Sequence, residues 1–295
     1  MIKWLIKKQD EAAVASIRKQ FGFCDAVARV LYNRGLTDKA SIESFFDIDI
    51  ANLHDPLLLA DMEKATARIN KAVANGEKIT VYGDYDVDGI TSVVVLYRYL
   101  TSVGAKVDYY IPDRTEEGYG LNTAALRSIY ESGTSLIVTV DTGTTAVEEI
   151  AEAEGYGLDV IVTDHHECKP TLPECIAVVN PKRPDSVYPY KELAGVGVVF
   201  KLVCALIGDS SKAFSFYGDL VAIGTIADIM PLVDENRILV SLGLELLRKR
   251  PSCGIRALLE ASGGYKHGQI TASTIAFQVA PRINAAGRIG DPKQS

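Results

Sequence analysis

Three aspartates, Asp84, Asp86 and Asp88, alternate within the stretch Val81–Ser92, which reads VYGDYDVDGITS. Carboxylates packed this closely repel one another, and one or two divalent cations neutralise them most directly. The pattern Asp-x-Asp-x-Asp-Gly also opens an EF-hand calcium loop. That loop needs a helix before it and a bidentate Glu at its twelfth position. Here the twelfth position is Val95, and an apolar, strand-like run precedes the acids. A solvated acidic turn is the simplest structural reading, but three unpaired carboxylates between two apolar runs suit it poorly.

Further candidate groups follow. Asp141 stands at the end of an apolar run and opens the small polar turn Asp141-Thr142-Gly143-Thr144-Thr145, whose backbone N–H groups could hold an anion. Asp164-His165-His166 follows the next apolar run and contains two of the chain's four histidines. Imidazole is a metal ligand when neutral and a phosphate donor when protonated. Asp228 is a lone carboxylate at an apolar helix end, either a cap or a ligand. His54, by contrast, reads as a packing residue. Oxygen and imidazole donors without thiolates suit Mn²⁺ or Mg²⁺ rather than structural zinc. A shared carboxylate can bridge two such ions about 3.5–4 Å apart, and the pair can drive phosphoester hydrolysis.

These groups need a scaffold that gathers them. From residue 78 onward, strand-like runs (78–82, 106–111, 135–140, 159–163, 176–179) alternate with helix-like runs (90–103, 122–132, 146–153). Continuous apolar strands are typical of parallel sheets buried on both faces. The alternation predicts right-handed βαβ crossovers and an α/β fold, a doubly wound, mainly parallel five-stranded sheet with flanking helices. Asp84–Asp88, Asp141 and Asp164–His166 then all follow C-terminal strand ends, where open α/β sheets build sites. Before the sheet, residues 11–20, 25–36, 39–46 and 61–74 have helical spacing, with Thr37-Asp38 as a cap and Asn75-Gly76 as a stop. After it, residues 195–207, 214–226 and 237–248 return to helix. Gly195-Val196-Gly197 looks like the start of a dinucleotide loop, but Phe200 occupies the third glycine position.

With 295 residues, 47% of them hydrophobic, the chain can bury one large or two ordinary cores. Its net charge is −7, yet residues 246–295 hold eight Lys/Arg against two acids, a local +6. Overall charge therefore does not exclude a nucleic-acid partner. Cys24, Cys168, Cys175, Cys204 and Cys253 form no CxxC pair and read as reduced thiols. Neither a secretory leader nor a membrane span is expected.

Taken together, these residues resemble the DHH family of phosphoesterases. Asp164-His165-His166 matches the family's signature triplet, GDYDVDG at 83–89 its first motif, Asp141-Thr142-Gly143 its second and GTIAD at 224–228 its fourth. The runs 111–114, 117–120, 180–182, 193–197 and 281–288 are similar to a bacterial branch of single-strand-specific 5′→3′ exonucleases, and the likeness extends from about Leu53 to Ser295. The resemblance implies two Mn²⁺ (or Mg²⁺) ions. Asp84 and Asp86 would serve one, Asp88, His165 and Asp228 the other, and Asp141 would bridge. It further implies that His166 contacts the scissile phosphate, that Asp164 orients the histidine pair, and that Arg282, Arg288, Asn284 and Arg114 contact substrate. Some members carry a histidine at the position of Tyr82, and a tyrosine there is not expected to ligate.

The implied partner is single-stranded DNA, in cytoplasmic repair and recombination, with a helicase and a single-strand-binding protein as further candidates and no membrane. Family alternatives are a phosphodiesterase of short oligoribonucleotides or cyclic dinucleotides, and a non-catalytic scaffold. The Arg282–Arg288 stretch favours the exonuclease branch, and retention of every ligand position argues against a scaffold. Such exonucleases continue into further domains. The expected organisation is therefore a helical segment (1–75), a catalytic domain (76–275) and the start of a connector (276–295), the whole being the core of a longer protein.

Overall fold

The computed structural model describes residues 8–114, 117–262 and 269–289, with the side chains of Arg288 and Ile289 outside the description. The chain forms two compact units, one ending at Asp49 and one beginning at Ile50. The first contains α1 (Glu11–Phe21), α2 (Asp25–Asn33) and α3 (Lys39–Phe46) around Val14, Ile17, Ala28, Leu31 and Ile42. Asp10 and Asp38 cap α1 and α3 by accepting from Ala12 and Ser41 N–H groups.

The second unit begins before residue 75, where the change of sequence texture had suggested a boundary. Its first long helix, α4 (Met62–Asn75), buries Met62, Ala65, Ile69 and Ala72 in the same core as the sheet. That stripe at i, i+3, i+7 and i+10 is what commits α4 to this unit. The elements then run β1 (Lys78–Tyr82), α5 (Val87–Ser102), β2 (Lys106–Tyr110), α6 (Thr123–Glu131), β3 (Leu136–Val140), α7 (Val147–Gly155), β4 (Asp159–Thr163) and β5 (Ala177–Val179). All five strands are parallel, in the order β2-β1-β3-β4-β5. The switch point of this order lies between β1 and β3.

Alternate strand residues enter opposite cores. Ile79, Val81, Leu136, Val138 and Val140 join the larger one, while Tyr82, Ile137, Val160 and Val162 join the core under α6 and α7. The expected α/β architecture is thus the one observed. Beyond the sheet come α8 (Gly195–Ile207), α9 (Ser210–Ala227), α10 (Asp234–Lys249), α11 (Cys253–Ala261), α12 (Ala272–Thr274), a π turn (Ile275–Val279) and α13 (Ala280–Ile289). Among the described residues no helix is long and apolar enough to cross a membrane.

Candidate metal centre

The first-motif acids do not share one turn. Asp84 lies in the loop after β1, and Asp86 is the N-cap of α5, its Oδ1 accepting from the Gly89 N–H at 2.9 Å. This cap starts the helix at Val87, three residues earlier than the apolar run suggested, and so puts Asp88 in the first helical turn. Asp141 follows β3 with φ +59, a left-handed conformation that Asp tolerates better than most residues. His165 and His166 follow β4. Asp228 is the C-cap of α9, where Ile229 N–H bonds to Ile226 O and Met230 N–H to Thr225 O. That pair of bonds is a Schellman turn.

Four elements therefore converge. His165 Nε2 lies 3.1 Å from Asp141 Oδ1, 3.6 Å from Asp228 Oδ2 and 3.8 Å from Asp88 Oδ2. Two triads emerge, Asp84–Asp86–Asp141 and Asp88–His165–Asp228, each with ligand atoms within 4.8 Å of one another. Asp141, His165 and His166 form a third such group. Asp84 Oδ1 and Asp141 Oδ1 are buried without a hydrogen-bond donor. Orphaned carboxylate oxygens with imidazole nearby and no thiolate are a donor set that fits Mg²⁺ or Mn²⁺.

Backbone groups fix several of these side chains. Gly195 N–H donates to Asp88 Oδ2 at 2.7 Å and Val196 N–H to Asp88 Oδ1 at 2.9 Å. A Cβ on Gly195 would collide with the Asp141 carboxylate, and one on Gly224 would crowd Asp88 and Thr91. Glycine is needed at both positions because the acids approach the backbone so closely. Asp164 accepts from the N–H groups of Thr144 (2.9 Å), His165 (2.7 Å) and His166 (3.2 Å), and from His166 Nδ1 at 2.7 Å. His166 Nε2 faces the Tyr119 hydroxyl at 3.1 Å. Asn180 Nδ2 ties this loop together, donating to Thr144 Oγ1 and His166 O.

The electrostatics follow from burial. Burial, then the neighbouring Asp86, pushes Asp84 up to about 7 and Asp228 up to about 6. Asp88 and Asp141 are also raised, by burial first and then by Asp228 and Asp88 respectively. Asp164 goes the other way. Burial opposes its ionisation, but His166 and the surrounding N–H groups hold it at about 2. Burial and the His166 charge lower His165 to about 4, leaving the neutral imidazole that ligates metals. The Asp164 hydrogen bond raises His166 despite burial.

The remaining candidates are dispersed. Arg114 lies 5.0 Å over the Tyr85 ring, beside the first motif. Asn284 Oδ1 accepts from the Val87 N–H at 3.1 Å. Arg282 is exposed on α13, donates to Gln278 O and lines a cavity outside the acidic cluster. The Arg288 side chain lies outside the described residues. Tyr82 points into the smaller core and donates to Gly120 O, and His54 pairs with Asp234, so neither joins the cluster. The contacts of Gly195, Val196 and Tyr119 are not legible in the sequence, whereas the expected anion-holding turn at 141–145 does receive a carboxylate, that of Asp164, on Thr144 N–H. The Gly-Val-Gly run was the available signal for the first two.

A model of the DHH family, N-terminal domain, matches residues 78–225. The single-stranded-DNA-specific exonuclease RecJ of Bacillus subtilis (strain 168) is 48% identical over 288 residues, covering 98% of this chain and 36% of its own length. Its counterpart from Escherichia coli (strain K12) is 39% identical over 249 residues, covering 79% and 43%. A crystal structure of exonuclease RecJ bound to manganese superposes with a TM-score of 0.72 at 39% identity, over 80% of this chain and 60% of that one. RecJ from Thermus thermophilus in complex with Mn²⁺ does so with 0.81 at 33% identity, over 98% and 41%. The chain thus spans less than half the length of these curated relatives. The matched stretch contains β1 to β5 and all the clustered acids and histidines except Asp228, which follows it by three residues, and on that ground the chain belongs to the DHH family.

Proposed function

We propose that this chain is the hydrolytic core of a two-cation, 5′→3′ exonuclease acting on single-stranded DNA. The observation that carries the reading is the meeting of the two triads, with Asp141 of one only 3.1 Å from His165 of the other. Asp84, Asp86 and Asp141 would hold one Mn²⁺ or Mg²⁺, and Asp88, His165 and Asp228 the second. When bound, the cations supply the charge that lowers the pKa of water and offsets negative charge on the phosphodiester oxygens.

The chain's own groups orient the substrate. Asp164 accepts the Nδ1–H of His166, which turns Nε2 outward toward Tyr119. Protonated, His166 offers a donor there to a non-bridging phosphate oxygen. The Arg114 guanidinium stacked on Tyr85 adds positive charge for the strand. Lys182 adds more; its charge is felt at both His165 and Asp228. The relatives named as single-stranded-DNA-specific exonucleases support the substrate class. A cytoplasmic role in repair and recombination, beside a helicase and a single-strand-binding protein, belongs to the same reading.

The test supplies a 3′-labelled single-stranded oligonucleotide with Mn²⁺, beside a duplex, an RNA dimer and a cyclic dinucleotide. Loss of 5′ nucleotides from the single strand, with the duplex spared, is expected. Preferential cleavage of either dinucleotide would overturn the proposal.

A further inference from the structure

The stretch Pro281–Arg288 lies on α13, and among the described residues it meets the acidic loop at the hydrogen bond from Val87 N–H to Asn284 Oδ1, 3.1 Å. Val87 is the first residue of α5 and separates Asp86 from Asp88. Its N–H is one of the donors a helix start leaves without an intrahelical partner. Asp86 satisfies the Gly89 N–H, and Asn284, 197 residues away in sequence, satisfies that of Val87. The direction in which α5 leaves the turn, and hence the spacing of Asp86 and Asp88, is held from both sides.

A break in helical register accompanies the placement of Asn284. Pro281 has no N–H, and in a regular helix its ring would crowd the carbonyl of Phe277, four residues back. The π turn lies immediately before it, with Ala280 N–H donating to Ile275 O, five residues back. One extra residue rotates everything after it by about 100° about the axis. Val279 and Ile283 stay buried, and Asn284 meets Val87. Beside this contact a cavity of about 420 Å³ opens between α5, α9, α11 and α13, lined by Ile90, Val94, Leu220, Ile255 and Arg282 among others. Apolar packing between α13 and α5 is correspondingly thin, so the polar fastening carries more of the alignment.

We propose that Asn284 is a positioning residue for the metal centre. Through Val87 it holds the Asp86–Asp88 turn in ligating geometry, and it thereby ties divalent-cation affinity to the seating of α13. The proposal rests on the two-cation reading, and it gives Asn284 a different task from the substrate contact implied by family resemblance.

Cation binding tests it without DNA. Asn284→Ala, Asn284→Ser and Asn284→Asp are titrated with Mn²⁺, free ion being followed by electron paramagnetic resonance, and exchange of the Val87 amide is measured alongside. Asp keeps an acceptor oxygen at the same reach. The expected result is Mn²⁺ binding weakened about 10-fold in the Ala variant, less in Ser, and within about 3-fold of the parent in Asp. The Val87 amide should exchange faster in Ala than in Asp. At saturating Mn²⁺ the KM for a single-stranded oligonucleotide should be unchanged in Ala. Unaltered Mn²⁺ affinity in both Ala and Ser would overturn the proposal. So would a raised KM in Ala and Asp with unaltered Mn²⁺ affinity, which marks a substrate contact. Should the parent bind Mn²⁺ yet spare DNA, the exonuclease reading fails while the binding series still decides the role of Asn284.

Discussion

Asp88 and Gly195 meet across 107 residues of sequence, the Gly195 N–H donating to Asp88 Oδ2 at 2.7 Å. With Val196 N–H on the other oxygen, the positive end of α8 faces the most buried acid of the first motif. The Gly-Val-Gly run, set aside as a dinucleotide loop because Phe200 fills the third glycine position, instead receives the protein's own Asp88 carboxylate.

Gly195→Ala therefore tests the centre's geometry. The added methyl meets the Asp141 carboxylate, so Mn²⁺ affinity should fall about 10- to 100-fold. Gly254→Ala, where a Cβ meets nothing within 4 Å, should leave it unchanged. Isothermal calorimetry on the two variants makes the comparison.

Asp141→Asn should have opposite effects with and without metal. Asn tolerates the left-handed φ of this position, and it removes one negative charge from a buried acidic cluster. In chelator the Tm should rise by a few degrees. In Mn²⁺ at 100 times Kd the parent should gain about 2.7 kcal/mol, and the variant less than half of that. Hydrolysis should drop about 100-fold or more. Thermal melts in chelator and in Mn²⁺, beside the oligonucleotide assay, check all three.

Ile229→Gly should stabilise the protein. Ile229 occupies the left-handed position of the Schellman turn, with φ +57, and is 88% exposed. A β-branched residue there costs about 1–2 kcal/mol, against about 0.5–1 kcal/mol of extra chain entropy lost by glycine. A Tm rise of about 2 °C is expected by calorimetry.

Asp61 gives a pH dependence remote from the centre. Burial opposes its ionisation, but Lys64 (2.7 Å), Arg183 (2.5 Å) and the Val178 N–H outweigh it, so the folded carboxyl titrates below its ordinary value. A lowered folded pKa contributes stability that is complete above the unfolded value, about 3.9, and is lost as pH falls through the folded one. Asp61→Asn should cost about 2 kcal/mol at pH 7. The gap to the parent should narrow as pH falls from 7 to below the unfolded value and through the lowered folded one, as denaturant melts across that range would report.

Much of the fold was legible because two periodicities differ. Continuous apolar runs of about five residues, alternating with amphipathic helices, announced a parallel sheet and placed Asp84, Asp141 and His165 after strand ends. The unit boundary was less legible. The stripe on α4 says that the helix packs, and says nothing of which partner it packs on.

What the sequence determined by itself was therefore local: element type, strand ends, and a set of acids and imidazoles that could not be left unpaired in a core. What the tertiary structure decided were the approaches between distant backbones and side chains. The α8 N-terminus on Asp88, Thr144 N–H on Asp164 and Asn284 on Val87 join residues 107, 20 and 197 positions apart. Such bonds depend on packing distances of a few tenths of an ångström, which no local propensity encodes. Only the assembled layers bring those donors and acceptors into line.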